Sequence, residues 1–343
     1  MKLSLSLITA LTISVLPGVA LAQTSTTGAA SYGPQLEGFQ YPHPIQRFAL
    51  DSQGQKLSMA YMDIAPTANA NGRTIVLLHG KNFCGATWQP TIAVLTKAGY
   101  RVIAPDQIGF CASSKPQGYQ FTFDQLAANT HALLSSINVE KAIILGHSMG
   151  GMLAARYALT YPQATEQLVM LNPLGLEDWR AEGVPYATID QLYQNELKTS
   201  FDTIKAYQLR FYYNGKWLPE YDPPVAMLAG LYAGPGKEMV ARNQAQTSDM
   251  IFTQPVVHDF PRIAVPTLLM IGAKDRTAPG ANRAPKEIAA KLGHYNELGP
   301  RAAKAIPNAR LITFSELGHA PQTEAPEEFH KALLDGLTSE GKP

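Results

Sequence analysis

Gly146-His147-Ser148-Met149-Gly150 sets one hydroxyl between two glycines, where an apolar run (142–146) ends and a helical pattern (150–160) begins. A serine in such a sharp turn tolerates only neighbours of little bulk. The turn lifts Oγ clear of the backbone and aims the positive end of the helix at the reacting centre. The chemistry this suits is nucleophilic attack on a carbonyl. A hydroxyl attacks poorly until a base takes its proton, and that base is a histidine oriented by a carboxylate. In this layout the acid, then the histidine, follow the serine along the chain. Asp275 in MIGAKDRTAP and His319 in FSELGHAPQTEAP each come just after an apolar strand pattern, so both fall at the sheet edge that carries Ser148. A turn serine with a purely structural role is the plain alternative; the strand before it and the helix after it argue against that.

Rival side chains are weaker. His79 sits in HGKNF at a strand end and reads as structural. His147 adjoins the serine but points elsewhere by the geometry of the turn, and His258 and His294 lack a strand-end setting. Asp106 in APDQIGF follows an earlier strand and braces its loop. Asn172 occupies the alternative position for the acid, but an amide cannot stabilise an imidazolium as a carboxylate does. An oxyanion needs two backbone N–H donors: Met149 supplies one, and Lys81 the other, with Asn82 and Phe83 remaining open. None of this requires a metal or an organic cofactor.

The elements that must position these groups alternate along the chain. IQRFAL (45–50) and KLSMAYMDI (56–64) read as a hairpin about Asp51-Ser52-Gln53-Gly54. Apolar strands follow at 73–80, 101–105, 142–146, 168–172, 266–272 and 310–314. Helical patterns lie at 86–100, 122–137, 150–160 and 326–337. Strands alternating with helices imply parallel β-α-β units in a layered α/β domain. Residues 174–260 break the rhythm with helical patterning and no buried strand. They hold 13 of the 30 aromatic residues, which points to a helical cap facing an apolar or aryl-bearing small molecule, although the rings also suit the cap's own core.

The 343 residues are 45% hydrophobic with a formal net charge of +1, enough for one large core and too little positive charge for a nucleic-acid partner. MKLSLSLITALTISVLPGVALA has the form of a secretory signal peptide over 1–22, cut before Gln23. Its apolar stretch is short for a bilayer span of about 20 residues, so no stable membrane association is expected after cleavage. Residues 23–43 read as a flexible N-terminal segment.

HGKNFCGATW, APDQIGFCASSKP, GHSMGG, GAKDRTAP and ELGHAPQTEAPEEF, in this order, resemble the α/β-hydrolase superfamily. They are most similar to its cap-bearing group of esterases, haloalkane dehalogenases, epoxide hydrolases and C–C bond hydrolases. The match spans Ile45 to Leu337. It implies an eight-stranded, mostly parallel sheet formed by 44–173 and 261–343. It further implies a helical cap, 174–260, inserted after the sixth strand, and a catalytic triad at the sheet's carboxyl edge. Dehalogenases and epoxide hydrolases of the superfamily carry Asp where this chain has Ser148, which disfavours both activities. Two departures stand out: Cys111 replaces the second glycine of a G-x-G, and the stretch from Asp275 to His319 is longer than usual. In this fold the loops carrying Cys84 and Cys111 are neighbours, so a Cys84–Cys111 disulfide is expected in an exported protein. The resulting expectation is a periplasmic or extracellular serine hydrolase acting on a small ester through Ser148, Asp275 and His319. C–C bond hydrolysis or cofactor-free perhydrolysis on the same triad is the alternative, and a non-catalytic receptor the more distant one.

Overall fold

The computed structural model describes residues 30–338. The expected signal peptide, its cleavage site and residues 23–29 lie outside them. Eight strands form one sheet: β1 (Ile45–Ser52), β2 (Gln55–Ile64), β3 (Thr74–Leu78), β4 (Arg101–Pro105), β5 (Ala142–His147), β6 (Thr165–Leu171), β7 (Thr267–Gly272) and β8 (Ala309–Phe314). Their order is β1-β2-β4-β3-β5-β6-β7-β8. The β1–β2 hairpin and the β2–β4 pair are antiparallel, and every later pair is parallel. The central strands read as unbroken apolar runs because both of their faces are covered.

Parallel neighbours need crossover helices. Three of these are α1 (Gln89–Lys97), α2 (Phe123–Ser136) and α3 (Met149–Thr160). Helix α1 begins later than its pattern from residue 86 implies. Residues Gly85–Trp88 form a 3₁₀ turn, and Pro90, which lacks an N–H, fits only the first turn of the α-helix that follows. Between β6 and β7 the chain leaves the sheet for a helical insertion, α4 (Ile189–Glu196), α5 (Phe201–Phe211), α6 (Asp222–Ala233) and α7 (Lys237–Thr253). Capping boxes at Thr188 and Ser200 start α4 and α5 by returning hydrogen bonds to otherwise unpaired amides. The long stretch before β8 holds α8 (Lys286–Ala289) and α9 (Tyr295–Ala305), and the chain closes with α10 (Pro321–Glu324) and α11 (Pro326–Thr338).

Alternation along the strands divides the core in two. Ile75, Leu77, Val102 and Leu145 face α1 and α11, meeting Ile92, Leu95, Phe329 and Leu333. Val76, Leu78, Ile144 and Met170 face the opposite way, toward Leu126, Leu133 and Leu153 of α2 and α3. Register then aligns the strand ends: Leu78 pairs with Gly146, His147 with Leu171, Leu171 with Met270, and Gly272 with Phe314. Residues just beyond β3, β5, β6, β7 and β8 therefore emerge along one edge. Among the described residues no helix is long and apolar enough to cross a membrane.

The described part of the expected flexible segment is not loose. Tyr32 N–H donates to the carbonyl of Gly230 at 2.9 Å, Leu36 is 2% exposed, and Phe39 makes edge contacts with Tyr32 and Tyr41. The Tyr41 hydroxyl reaches Asp106. Four apolar anchors spread over ten residues show no helical or strand period, so the sequence pattern conceals them. If this arm is part of the fold, Leu36→Ala lowers unfolding stability by about 2 kcal/mol or more in urea titration. A change below about 0.5 kcal/mol would show that the arm is dispensable.

Candidate active site

Ser148 stands between β5 and α3 with φ 59° and ψ −120°. A non-glycine residue there is strained by about 1–3 kcal/mol. The strain persists because its surroundings leave no alternative. A Cβ on Gly146 would overlap the carbonyl of Gly150, and one on Gly150 would overlap the carbonyl of Leu78. Ser148 N–H is tied to the carbonyl of Leu171 at 3.1 Å, and its own carbonyl accepts from Gly151 and Leu174. Gly80, just beyond β3, would place a Cβ only 3.0 Å from that of Ser148, so the β3 loop closes tightly over the serine.

Asp275 and His319, 44 residues apart, meet at the same edge. Nδ1–H of His319 donates to Oδ2 of Asp275 at 2.5 Å, and both side chains are 0% exposed. Asp275 is itself fixed. Its Oδ1 accepts from Thr277 N–H at 2.8 Å, and its Oδ2 also accepts from Asn172 Nδ2 at 2.9 Å. Asn172, at the end of β6, is anchored by Gly272 N–H donating to its Oδ1 at 2.8 Å. Around His319, backbone N–H donates to the carbonyl of Tyr212 at 2.9 Å, and the Tyr212 ring lies over the imidazole at 4.2 Å. Its Nε2, though buried, makes no hydrogen bond to any described group.

His147 does not simply turn away. Its ring packs 4.9 Å from that of His319, and its Nε2–H donates to the carbonyl of His319 at 2.8 Å. Burial, reinforced by the neighbouring His319, holds its pKa well below the usual imidazole value, so it stays neutral. His79 is structural as expected: Nδ1–H donates to Gly80, Nε2 accepts from Gln107 N–H at 3.1 Å, and burial keeps the ring neutral.

Phe83 N–H closes a turn onto Gly80 at 3.1 Å, which removes it from the donor alternatives. The Lys81 side chain turns to the insertion instead. Its ammonium pairs with Glu196 at 2.7 Å, and Glu196 also accepts from the Tyr232 hydroxyl at 2.6 Å. Cys84 and Cys111 lie side by side with Cα atoms 5.9 Å apart. With Asp106 they are the one trio of metal-capable side chains, among the described residues, whose ligand atoms converge. It offers no open ligand set: the sulfurs face each other, and the Asp106 oxygens accept from Gly85 N–H at 2.7 Å and Ala112 N–H at 3.0 Å.

Ser148 opens into a cavity of about 420 Å³ between the sheet edge and the insertion. The insertion's aromatic richness does not make an aromatic wall. Trp179, Tyr213, Trp217 and Phe252 are absorbed in packing, Tyr213 stacking on Tyr221 at 4.0 Å. Tyr207, Tyr212 and Tyr232 face the cavity together with Leu174, Ile204, Leu228 and Ile251, and Lys81, Glu196, Gln244, Ser248 and Thr277 set polar groups into this largely apolar wall. Thr277 and Pro279 come from the long stretch after Asp275. The sequence reading weighed Asn172 and His147 only as rivals to the acid and the histidine, and gave Tyr212 and Glu196 no individual role; the detectable signal was a polar residue at the end of a buried strand, which Asn172 and His147 both carry.

A family model described as the alpha/beta hydrolase fold matches residues 73–326. A crystal structure from Pseudomonas aeruginosa PAO1, described as a "probable hydrolytic enzyme", is 58% identical with a TM-score of 0.89. It covers 91% of this chain and 99% of that one. Lipase 3 of Moraxella sp. (strain TA144) is 28% identical over 85% of this chain and 88% of its own length. The 2-hydroxy-6-oxononadienedioate/2-hydroxy-6-oxononatrienedioate hydrolase of Comamonas testosteroni is 26% identical over 78% and 88%. With a family match over most of its length and an eight-stranded sheet whose parallel strands end at one shared edge, the chain belongs to the α/β-hydrolase family and is a hydrolase.

Proposed function

We propose that the protein is an exported serine hydrolase that cleaves a carboxylic ester, or a related acyl bond, of a small molecule. The observation that carries this reading is the buried Asp275–His319 pair, with one imidazole nitrogen bound and the other left open. Ser148 Oγ attacks the acyl carbon as His319 Nε2 takes its proton. Asp275 holds Nδ1–H and stabilises the imidazolium. The amides of Met149 and Lys81 receive the oxyanion, and the N-terminus of α3 adds to their field. The imidazolium then protonates the leaving alcohol, leaving an acyl-enzyme. Water, deprotonated by His319, releases the acid and restores the serine. The largely apolar cavity wall, with a few polar groups set into it, suits a small molecule that has an apolar body and some oxygen or nitrogen function beyond the scissile group. C–C bond hydrolysis of a vinylogous diketone uses the same residues, and the Comamonas relative keeps it as the second reading.

Ser148→Ala abolishes labelling by a fluorophosphonate probe and lowers turnover of p-nitrophenyl esters by at least about 10⁴-fold. Undiminished labelling in that variant removes the serine from the mechanism. Turnover of vinylogous diketones above that of every ester in a parallel panel transfers the assignment to C–C hydrolysis. Asn172→Ala strips a hydrogen bond from an ionised group, so kcat falls about 10- to 100-fold with KM little changed; an unaltered kcat shows that Asp275 needs no brace. For export, we propose cleavage before Gln23 and a Cys84–Cys111 disulfide pinning the loops after β3 and β4. Intact-mass and non-reducing peptide analysis of the protein recovered outside the cytoplasm then gives Gln23 as first residue and one crosslinked peptide pair. Two alkylatable thiols refute the bond.

A further inference from the structure

The loop that carries His319 is held by more than the insertion. Glu324, at the end of α10, folds its side chain back over the start of its own turn. Both carboxylate oxygens accept from Gly318 N–H, at 2.9 and 3.0 Å, and Oε1 also accepts from Ala320 N–H at 3.2 Å. Gly318 and Ala320 are the two chain neighbours of His319. The histidine's own N–H goes to Tyr212 and its carbonyl to His147, so three consecutive amides and one carbonyl are all committed. A Cβ on Gly318 would overlap the Tyr212 carbonyl, which leaves the loop a single tight path between insertion and carboxylate.

We propose that Glu324 is a positioning residue for His319: its ionised carboxylate grips the amides on either side of the histidine and sets where the imidazole stands, and protonation of that carboxylate loosens the grip. This rests on the reading of His319 as the base. Oε1 accepts from both amides and Oε2 accepts a second time from Gly318. Protonation on Oε2 removes that second bond, sets an O–H against the Gly318 N–H, and leaves Oε1 a neutral and therefore weaker acceptor for both amides.

Charge placement supports the idea. Burial pushes the Glu324 carboxyl up to about 7; the two amide bonds oppose this, Asp275 adds to it, and His319 lowers it. From the insertion, Tyr213 and Tyr221 also face it. Both hydroxyls are pushed up chiefly by burial and then by the Glu324 charge, with Glu220 adding at Tyr221. Because the pKa of Glu324 in the fold lies above that of an exposed carboxylate, the ionised form needed by the loop develops only as pH rises through about 7.

The test compares the full-length mature protein with Glu324→Gln and Glu324→Asp from pH 5 to 9. It follows both ester kcat/KM and the rate of fluorophosphonate labelling. In the unmodified protein both rates fall on the acid side with a limiting slope of two, one proton on His319 and one on Glu324. Glu324→Gln reduces the slope to one and lowers the maximal rate about 10- to 100-fold, with KM changed less than about twofold. Glu324→Asp keeps the slope of two at a reduced maximum. A second measurement does not depend on activity: the His319 ring proton, followed by NMR against pH and assigned with a His319→Gln sample, shows two inflections, and only one in Glu324→Gln. Wild-type rates in the Gln variant, an unchanged slope, or a single inflection in the unmodified protein each overturn the proposal. Absence of labelling in the unmodified protein, with the two NMR inflections present, instead counts against the serine mechanism and leaves the Glu324 linkage standing.

Discussion

One imidazole, fully buried, has a hydrogen bond on one ring nitrogen and none on the other. That asymmetry is the constraint on which the rest of the structure depends. A buried polar atom without a partner costs about 1–3 kcal/mol, and a free side chain would rotate to relieve it. Here rotation is blocked. Asp275 holds Nδ1, and is in turn held by Asn172 and Thr277; Tyr212 covers the ring face. The protein keeps that nitrogen open by fixing the ring's other nitrogen, its face and its backbone.

The strained serine follows the same logic from the other side. Its positive φ is maintained by backbone contacts rather than by its own side chain: β3 against Gly150, Gly80 against Ser148, Leu171 against its amide. Each contact depends on strands emerging in fixed register at one edge, and parallel pairing across β3, β5, β6, β7 and β8 supplies that register. A one-residue slip in β5 would turn its side chains to the opposite face of the sheet and carry Ser148 off the edge. Sheet pairing thus places the site, and hydrogen bonds at the strand ends fix the side chains within it.

This division explains how much could be read from the amino acids alone. That Ser148, Asp275 and His319 reach one edge was legible because each follows an apolar strand, and strand ends project to a common edge. The strands were legible because both faces are buried and the apolar runs are continuous. Asn172 was weighed only as a failed acid, since a sequence does not show that its amide points at a carboxylate a hundred residues away. His147 was set aside because its role lies in a bond to the backbone carbonyl of His319, which leaves no pattern. The arm at 30–43 was missed for want of periodicity. Which of the insertion's rings face the cavity was not legible, because composition counts rings without placing them.

Tyr212 shows why such residues matter. It belongs to the insertion, just past α5, yet makes three contacts with two loops of the sheet edge. Its carbonyl takes the amide of His319, its ring covers the imidazole, and its hydroxyl accepts from Asn82 Nδ2 at 2.9 Å, in the loop next to Lys81. Lys81 is tied to the insertion a second time through Glu196. The helices over the cavity are therefore mechanically continuous with both the loop of His319 and the loop facing it. A hydrogen bond weakens steeply once its geometry is lost, so residue 212 cannot shift by an ångström without loosening the backbone that carries the imidazole. In this fold the insertion does more than roof a pocket; part of the precision of the edge beneath is built into it.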